Sequence, residues 1–495
     1  MLQSQIIAGQ PRRRWLALAV IVAAQFMVVL DIAIVNVALP AIKGDLHFSQ
    51  ANLQWVISAY AILFGGVLLL GGRLADVFGR RRVFMAGLAL FSVSSLLCGI
   101  SWSESSLIGF RALQGLGGAL FAPAGLSILM TTFAEGQERN RALGIWGAAS
   151  GSGGAFGVLL GGFLTSYLNW SWVFFINVPV GIAVIAAAPL VLAESRGQEH
   201  RHFDVAGAAS VTAGVMLLVY AMTRATQDGW GSLTTLTLVG GSAALLAAFV
   251  AIELHSPSPL LPMRMFRNRM LSAANATAAV IGAIAFSEFF LLTLYMQQVL
   301  GYSALQTGVG FAAVTFTIIV FSNVAQLLVT RLGVRRVLAT GLALDAVALA
   351  AFTRLPTGGH YFWDLFPALL ISGVGLALSF VPVTIAGLAG VQRADAGIAS
   401  GLINTTRQVG GAIGLAAVTT IAASYASSGA GATGPARLAA IDGGLTHGFQ
   451  VGFTVLAVAA VFGAVIAAAL LRPHAEGAEV EPLTSPSTAR LEEAA

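Results

Sequence analysis

Five ionisable residues lie inside long apolar stretches of this 495-residue sequence, where charged side chains are rare. They are Asp31, Arg111, Glu288, Asp345 and Arg407. A charge at the centre of a bilayer costs about 3 kcal/mol or more, so each of these residues is a candidate for a function. Removal from water raises the pKa of a carboxyl group, and a nearby guanidinium lowers it. An acid held between these two influences can bind and release a proton at ordinary pH.

The segments that carry these residues are long and apolar. Hydrophobic residues make up 57% of the chain and charged residues 9%, whereas a soluble globular protein carries about 25% charged residues. The composition excludes a soluble protein and predicts an all-α integral membrane protein, because about 20 apolar residues in a helix cross a bilayer core of about 30 Å. Fourteen transmembrane spans are predicted, at 15–39, 52–72, 83–102, 106–130, 141–165, 171–192, 204–224, 232–253, 271–298, 304–329, 334–354, 361–386, 397–424 and 449–471.

The positive charges predict the orientation of these spans. Cytoplasmic loops of membrane proteins are enriched in lysine and arginine. With the N-terminus in the cytoplasm, twenty of the 26 Lys and Arg residues fall in cytoplasmic segments and four fall outside. The four are Lys43, Arg224, Arg354 and Arg437. We therefore expect both termini in the cytoplasm, with residues 1–14 as one tail and a disordered stretch, 473–495, as the other.

Other kinds of chemistry find no matching residues in the sequence. A nucleotide-binding P-loop needs Gly-Lys-Ser/Thr, and the only lysine, Lys43, is followed by Gly44. The seven histidines lack the spacing of a zinc site, and the single cysteine, Cys98, has no second cysteine for a disulfide. We therefore expect no enzyme activity, no metal, no cofactor and no nucleic acid partner, with the proton as the coupling ion.

The sequence contains an internal repeat. Three stretches recur in the same order: 78–90 at 332–344, 115–120 at 373–378, and 153–157 at 410–414. The repeat places spans 1–6 on spans 9–14. The predicted organisation is therefore two pseudo-symmetric six-helix bundles, 15–192 and 256–472, with two inserted transmembrane helices within 193–255. Paired bundles of this kind are a known transporter plan, in which the binding site lies between the halves near the membrane midplane.

The depths of Asp31 and Arg111 predict that their side chains meet. At a rise of 1.5 Å per residue, Asp31 lies about 24 Å and Arg111 about 22 Å from the cytoplasmic face. Spans 1 and 4, which carry them, both line the cavity in the paired-bundle plan. Competition between a proton and a cationic substrate for Asp31 would produce antiport. The alternative is a structural ion pair that ties span 1 to span 4.

Several motifs resemble those of one transporter family. Residues 30–40, LDIAIVNVALP, look like a first-span signature, and residues 72–82, GRLADVFGRRR, like a loop between spans 2 and 3. Residues 111–119, RALQGLGGA, look like a span-4 motif, and 153–162 with 170–181 look like an antiporter motif and its sequel. On these motifs the sequence resembles the major facilitator superfamily and, within it, the fourteen-span drug:proton antiporter branch of the EmrB/QacA type.

The resemblance implies roles for two groups of residues. One would be a cytoplasmic latch between the halves, in which Asp76 can reach Arg80 or a helix N-terminus; its members are Gly72, Asp76, Gly79, Arg80 and Arg81. The other is the antiporter motif, a seam between the halves on the outer side: Gly153, Gly157, Gly161 and Gly162. A generic packing face explains the glycine spacing equally well. Val158 stands where this motif usually has proline, so any bend in span 5 has to come from glycine.

The remaining candidates leave alternatives open. Glu288, on the repeat partner of span 1, could bind a substrate cation or a second proton, or be a neutral carboxyl bonded to a neighbouring helix. Asp345 and Arg407 lie at similar depths and are a candidate pair, with a structural role favoured for Asp345. Candidates for the substrate wall, with simple packing as the alternative, are Phe26, Met27, Trp55, Tyr60, Glu288, Phe289, Phe290, Tyr295 and Arg407.

The function implied by the resemblance is proton-coupled export of hydrophobic, cationic or zwitterionic drugs from the cytoplasm across a bacterial plasma membrane, by alternating access. The expected partners are small hydrophobic or amphiphilic substrates, protons and lipid, and we expect the protein to work as a monomer. Three alternatives remain: a dedicated exporter of one metabolite or self-made antibiotic, an uptake transporter, and a non-transporting membrane sensor.

Overall fold

Long helices form nearly all of the chain in the computed structural model. The structure describes residues 11–48, 50–53, 55–134, 136–195, 204–256, 259–389, 391, 395–426 and 435–471. Within these ranges the long helices are α1 (Pro11–Asp45), α2 (Trp55–Phe78), α3 (Arg80–Gly99), α4 (Glu104–Thr132), α5 (Gln137–Tyr167), α6 (Asn177–Val191), α7 (Val205–Asp228), α8 (Leu233–His255), α9 (Arg269–Leu294), α10 (Ala304–Leu332), α11 (Val334–Phe352), α12 (Phe366–Leu388), α13 (Ala396–Ala426) and α14 (Pro435–Leu470).

Short helical pieces accompany the long helices. They are Gln50–Leu53, Trp172–Phe175, Met263–Arg267, Tyr295–Val299 and Tyr361–Leu365. Each predicted span falls on one of the long helices, so the helical assignments are confirmed. The predicted tail 473–495 and most of the tail 1–14 lie outside the described residues.

Fewer than fourteen of the described helices qualify as candidate membrane spans by their length and apolar composition. Eleven of the described helical segments are long and apolar enough to span a bilayer, and α5 is a twelfth if its bent halves count as one span. The helices α11 and α13 are not among them. In α11 three charged residues, Arg335, Arg336 and Asp345, interrupt a helix of 19 residues. The fold is therefore an all-helical membrane fold with eleven to twelve candidate spans.

The ends of several helices are set by local side-chain caps. The Ser103 hydroxyl accepts from the Ser106 backbone N–H at the start of α4, and Ser303 and Gln306 form the same kind of capping box at α10. These caps satisfy backbone donors that the first turn leaves free. Inside each helix the backbone bonds are internal, which is the condition for a segment surrounded by lipid.

The two halves of the chain pack in the same pattern. In the N-terminal bundle, defined as α1–α6, α1 packs along α5, while α2 and α3 pack along α4. In the C-terminal bundle, α9–α14, α9 packs along α13, while α10 and α11 pack along α12. These are the pairings that the internal repeat implies.

The bundles meet along two seams. Along one, α2 contacts α13, and along the other α5 contacts α10 and α12. The face of the molecule that carries Arg12–Arg14 and Arg80–Arg82 is called here the arginine-rich face. Close to it, a β-carbon added at Gly72 would lie 2.3 Å from the Gly397 carbonyl oxygen. At the opposite face, one added at Gly308 of α10 would lie 2.7 Å from the Leu159 α-carbon of α5. The halves therefore touch near both faces.

The inserted helices lie beside the α2–α13 seam. Met216 of α7 packs on Gly66 of α2, and Tyr220 stacks on Trp55 with ring centroids 5.6 Å apart. Trp230, in the turn after α7, donates a hydrogen bond to the Thr420 hydroxyl of α13 at 2.9 Å. The helix α7 thus contacts both bundles.

The glycine stripe of α5 lies elsewhere than the resemblance implied. Added β-carbons at Gly153, Gly157 and Gly161 would all lie within 3 Å of atoms of α1, so this face packs inside the N-terminal bundle. The expectation that these glycines lie at the seam between the halves is therefore wrong. The seam is formed instead by the adjacent face, where Leu159 meets α10. The helix still bends by 40° between Gln137–Gly154 and Phe156–Tyr167 without the motif proline.

We predict that Gly157→Ala destabilises the protein, because its methyl group would lie 2.8 Å from the Leu30 carbonyl oxygen and 2.7 Å from the Ala33 β-carbon. Overpacking of this kind costs about 1–3 kcal/mol. The apparent melting temperature of the purified protein should fall. Gly154→Ala is the control, since nothing lies within 4 Å of its added β-carbon. Equal melting temperatures for the two variants would show that α1 and α5 are not this close.

Candidate functional site: a buried acid–arginine network

Asp31 of α1 and Arg111 of α4 form a buried ion pair. The Arg111 Nη1 donates to Asp31 Oδ2 at 2.7 Å. The side chains are 0% and 1% exposed. The contact predicted from their depths is therefore present, between two helices of the N-terminal bundle.

Two amides complete the shell of the carboxylate. Gln114 Nε2 and Asn177 Nδ2 donate to Asp31 Oδ1 at 2.8 and 2.9 Å. Both amides also reach the Ser95 hydroxyl, at 3.0 and 3.1 Å. Ser95 in turn donates to the Phe174 carbonyl at 2.9 Å. The carboxylate of α1 is therefore the common acceptor for donors from α4 and α6, and Ser95 of α3 joins the network through the two amides.

Arg111 is satisfied by more than the carboxylate. Its Nε donates to the Val56 carbonyl at 2.9 Å, and its Nη1 also reaches Gln114 Oε1 at 2.6 Å. The guanidinium carbon lies 4.3 Å from the centre of the Tyr60 ring, a cation–π contact. A buried ion pair is stable only when such additional bonds offset its desolvation.

Two further residues of this network lie within the sequence motifs quoted above. Gln114 lies one turn after Arg111 in the span-4 motif, and Asn177 lies in the quoted stretch 170–181. A residue three positions from a buried arginine shares its helix face, which was a usable signal for Gln114. Ser95 lies in an apolar segment with other serines, and nothing in the sequence distinguishes it.

The predicted latch is also assembled. Arg80 donates through Nη2 and Nε to Asp76 Oδ1, at 2.8 and 3.0 Å, and Asp76 is 3% exposed. Among the described residues the second oxygen of Asp76 has no hydrogen-bond partner, and it would lie 2.5 Å from a β-carbon added at Gly397. Gly397 is in the first turn of α13, where the helix dipole favours a negative charge. The carboxylate of Asp76 therefore lies at the contact between the two bundles.

The other latch residues hold this loop against α6. Gly79 has a φ of 109°, a conformation that favours glycine. The Arg81 backbone N–H donates to Glu194 Oε1 at 3.1 Å, and its guanidinium lies 3.7 Å from Glu194 Oε2. The Arg80 backbone N–H donates to the Ser195 carbonyl at 3.0 Å. These contacts fix the loop within the N-terminal bundle, while Gly72 and Asp76 make the contact across the seam.

The acids of the C-terminal bundle are paired with serines. Glu288 of α9 accepts from the Ser372 hydroxyl, and Asp345 of α11 accepts from Ser379 at 3.1 Å. The expected pairing of Asp345 with Arg407 is wrong: Arg407 donates instead to Asn404 Oδ1 at 2.6 Å. Asp345 also lies against Gly375 of α12. The Ser379 hydroxyl is therefore the partner of Asp345 where Arg407 was expected, and Glu288 is hydrogen-bonded to a serine of the neighbouring helix α12.

The repeat explains the position of Glu288. Asp31 and Glu288 are 257 positions apart, and Gln114 and Ser372 are 258 apart, as are Gly115 and Gly373. Each acid therefore accepts from the equivalent position of the equivalent helix. Leu369 stands where this offset would place a counterpart of Arg111. The acid site is repeated in the second half without its arginine.

The substrate-wall candidates are distributed over several environments. Tyr60 lies in the Asp31 network, and Trp55 stacks on the inserted helix α7. The Tyr295 hydroxyl donates to the Pro356 carbonyl at 2.6 Å, which anchors a loop. The others pack against neighbouring apolar side chains: Phe26 on Phe156, Phe289 on Phe311, and Met27 and Phe290 in the main core.

The fold and the sequence motifs agree with comparison to known proteins. Residues 21–415 match the family described as the Major Facilitator Superfamily. The chain belongs to this superfamily, and it is a multi-pass membrane transporter rather than an enzyme.

Particular relatives are antibiotic export and resistance proteins. The chain is 41% identical to the cephamycin export protein CmcT of Amycolatopsis lactamdurans, over 89% of this chain and 91% of that protein. It is 36% identical to the puromycin resistance protein pur8 of Streptomyces alboniger, over 99% of this chain and 97% of that protein. The solved structure of the human organic anion transporter MFSD10 (TETRAN) shares the fold, with a TM-score of 0.65 at 15% identity, covering 92% of this chain and 100% of that chain.

A double-mutant cycle tests the Asp31–Arg111 pair. We expect Asp31→Asn and Arg111→Gln each to lower the free energy of unfolding by about 3–5 kcal/mol, because each leaves a buried group unpaired. The double variant should lose less free energy of unfolding than the two single variants lose together. The exposed pair Arg224–Asp228, at 2.8 Å, is the control, with coupling of about 0.5 kcal/mol. Additive losses at Asp31 and Arg111, measured by denaturant unfolding in detergent micelles, would contradict the pairing.

The latch is tested by the accessibility of Ser400, a buried residue of α13 whose hydroxyl contacts the Pro123 carbonyl of α4 across the interface. In a Cys98→Ser background, we expect Asp76→Asn to speed the alkylation of a Ser400→Cys variant several-fold by a charged maleimide. The reason is that the substitution removes the negative charge facing α13. Arg82→Gln, in the same loop but directed at Glu194, should leave the rate unchanged. Equal rates for all variants would show that Asp76 does not hold the halves together.

Proposed function

We propose that this protein is a proton-coupled antiporter that exports hydrophobic antibiotics or similar drugs from the cytoplasm. The observation that carries the proposal is the buried Asp31–Arg111 network in a transporter whose relatives are named as export and resistance proteins. The proposal includes fourteen spans with both termini in the cytoplasm, as in the EmrB/QacA-type branch. It is supported by the pairing of the long helices, in which α11 and α13 occupy the places equivalent to α3 and α5.

In the proposed antiport, Asp31 is the group that binds and releases the proton. In the described arrangement one arginine and two amides donate to its carboxylate. Protonation would remove the charge that Arg111 neutralises and would leave that guanidinium unpaired in a dry interior, at a cost of several kcal/mol. The protonated state therefore favours a different packing of α1 against α4. A conformational change coupled to one bound proton follows from this difference.

The transmembrane potential supplies enough energy for such a conformational change. Moving one charge across 100 mV releases roughly 2.3 kcal/mol, which is comparable to the coupling free energies of other conformational switches. In the proposed cycle, the Asp76 contact with α13 holds the arginine-rich face closed while the site is open to the outside. The exported compound then binds in the cavity between the bundles as the proton is released from it.

A dedicated exporter of one antibiotic is the second candidate. The names of the two relatives each refer to a single compound, cephamycin in one and puromycin in the other. The two candidates share the coupling mechanism and differ in the number of compounds transported. A panel of chemically different antibiotics separates them.

Everted vesicles with a pH-sensitive dye test the proposal. With puromycin, a cephamycin and other antibiotics as cargo, we expect at least one compound to dissipate the proton gradient when the wild-type protein is present. Asp31→Asn should reduce this response tenfold or more, because the amide cannot carry the coupled proton. Asp45→Asn is the matched control, since Asp45 lies at the end of α1 and accepts from Trp170 Nε1 at 2.7 Å, outside the network.

Two results would contradict the proposal. If cells accumulated a compound through the protein while no compound discharged the gradient, the direction would be uptake. If Asp31→Asn discharged the gradient as well as the wild type did, proton coupling would lie at another residue.

A further inference from the structure

Arg407 is on the helix face of α13 that also carries Ser400. Ser400, Asn404 and Arg407 are four and three residues apart on α13, and this spacing puts them on one helix face. Ser400 contacts the Pro123 carbonyl of α4, at 3.4 Å, in the opposite bundle. This face of α13 is therefore directed at the N-terminal bundle, and Arg407 lies two turns further from the arginine-rich face.

Arg407 is held in place from two sides. Its Nη2 donates to Asn404 Oδ1 at 2.6 Å, and Asn404 Nδ2 donates to the Ser400 carbonyl at 3.0 Å, which fixes the orientation of the amide. The guanidinium carbon lies 5.4 Å from the centre of the Phe380 ring of α12. The charged group is therefore positioned by an amide and an aromatic ring.

The charge of Arg407 has no acidic partner in the described part of the chain. No carboxylate oxygen of those residues lies within 4 Å of its guanidinium, and one of its five N–H donors is used, by Asn404. The residue is 9% exposed. Arg111 provides the contrast, because it has a carboxylate, an amide and a carbonyl as acceptors.

An unpaired guanidinium in this environment is unfavourable for folding. Arginine stays protonated in proteins, and a buried charge without a counter-charge is strongly destabilising. A bound molecule with a negative charge would supply the counter-charge that the described residues do not provide. The planar guanidinium fork matches a carboxylate with two parallel hydrogen bonds, and the Phe380 ring adds an apolar surface next to it.

We propose that Arg407, oriented by Asn404 and backed by Phe380, binds a carboxylate of the exported molecule. The inference rests on the proposed export function and specifies its substrate class. The exported molecule is a hydrophobic acid or a zwitterion. The zwitterion is one of the two substrate types expected from the sequence. Compounds that carry only a positive charge are excluded from tight binding at this site.

The test compares a cephamycin, which carries a carboxylate, with its methyl ester. Binding to the purified wild-type protein in lipid nanodiscs is measured by tryptophan fluorescence, and export is measured in everted vesicles. We expect the acid to bind wild type roughly tenfold to a hundredfold more tightly than the ester does, as a charge-assisted bidentate contact predicts. Arg407→Gln should lower the affinity for the acid by a similar factor and leave that for the ester unchanged.

Two further variants separate binding from folding. Arg407→Lys keeps the charge without the fork, so its affinity for the acid should be intermediate. Arg331→Gln, at the exposed end of α10, should behave as wild type. If Arg407→Gln proves unstable, the ratio of acid to ester affinity in Arg407→Lys decides the question, because a purely structural arginine would leave that ratio equal to the wild-type value.

The outcomes distinguish this inference from the function on which it rests. Equal binding of acid and ester to wild type, or an unchanged ratio in the Arg407 variants, would overturn the inference while export remained intact. If wild type exported neither compound nor any other member of the antibiotic panel, the proposed function would fail. In that case a carboxylate-dependent binding signal, lost in Arg407→Gln, would still support the anion site.

Discussion

The ion pair between Asp31 and Arg111 is the constraint on which the N-terminal bundle depends. Neither charge can be reached by water, so each needs the other together with the amides and the carbonyl that surround them. Because the carboxylate is on α1 and its donors come from α4 and α6, the interactions of one carboxyl group are linked to the relative position of three helices. In the proposed antiport, this link couples proton binding to a movement of helices.

The C-terminal bundle contains an acid site equivalent to that of Asp31, but without the ion pair. Glu288 occupies the position of Asp31, and Ser372 that of Gln114, but no arginine replaces Arg111. A buried arginine of this bundle, Arg407, is on α13 instead and bonds to Asn404. The acid and the arginine are therefore paired in the first half and separate in the second. In the inference drawn above, this separation is what leaves the Arg407 guanidinium for a ligand.

Much of the fold could be predicted from the sequence, because apolar length fixes helices in a bilayer and the repeat fixes which helices pair. The Asp31–Arg111 contact was predictable because helical rise converts sequence position into depth. Contacts that depend on the rotation of a helix about its axis were not predictable. The glycines of α5 met α1 rather than the opposite bundle, and Asp345 met Ser379 rather than Arg407, since equal depth does not tell which way a side chain points.

The position of α7 has a consequence for the path of a lipid-soluble cargo. The helix contacts α2 through Met216 and lies close to α13 through the Trp230 turn, so it covers the seam between these helices from outside. A molecule that reached this seam from the membrane would meet α7 first. At the other seam α5 packs directly on α10, and α7 is packed at the opposite seam. The inserted helices thus make the two seams unequal as lateral entry routes from the bilayer.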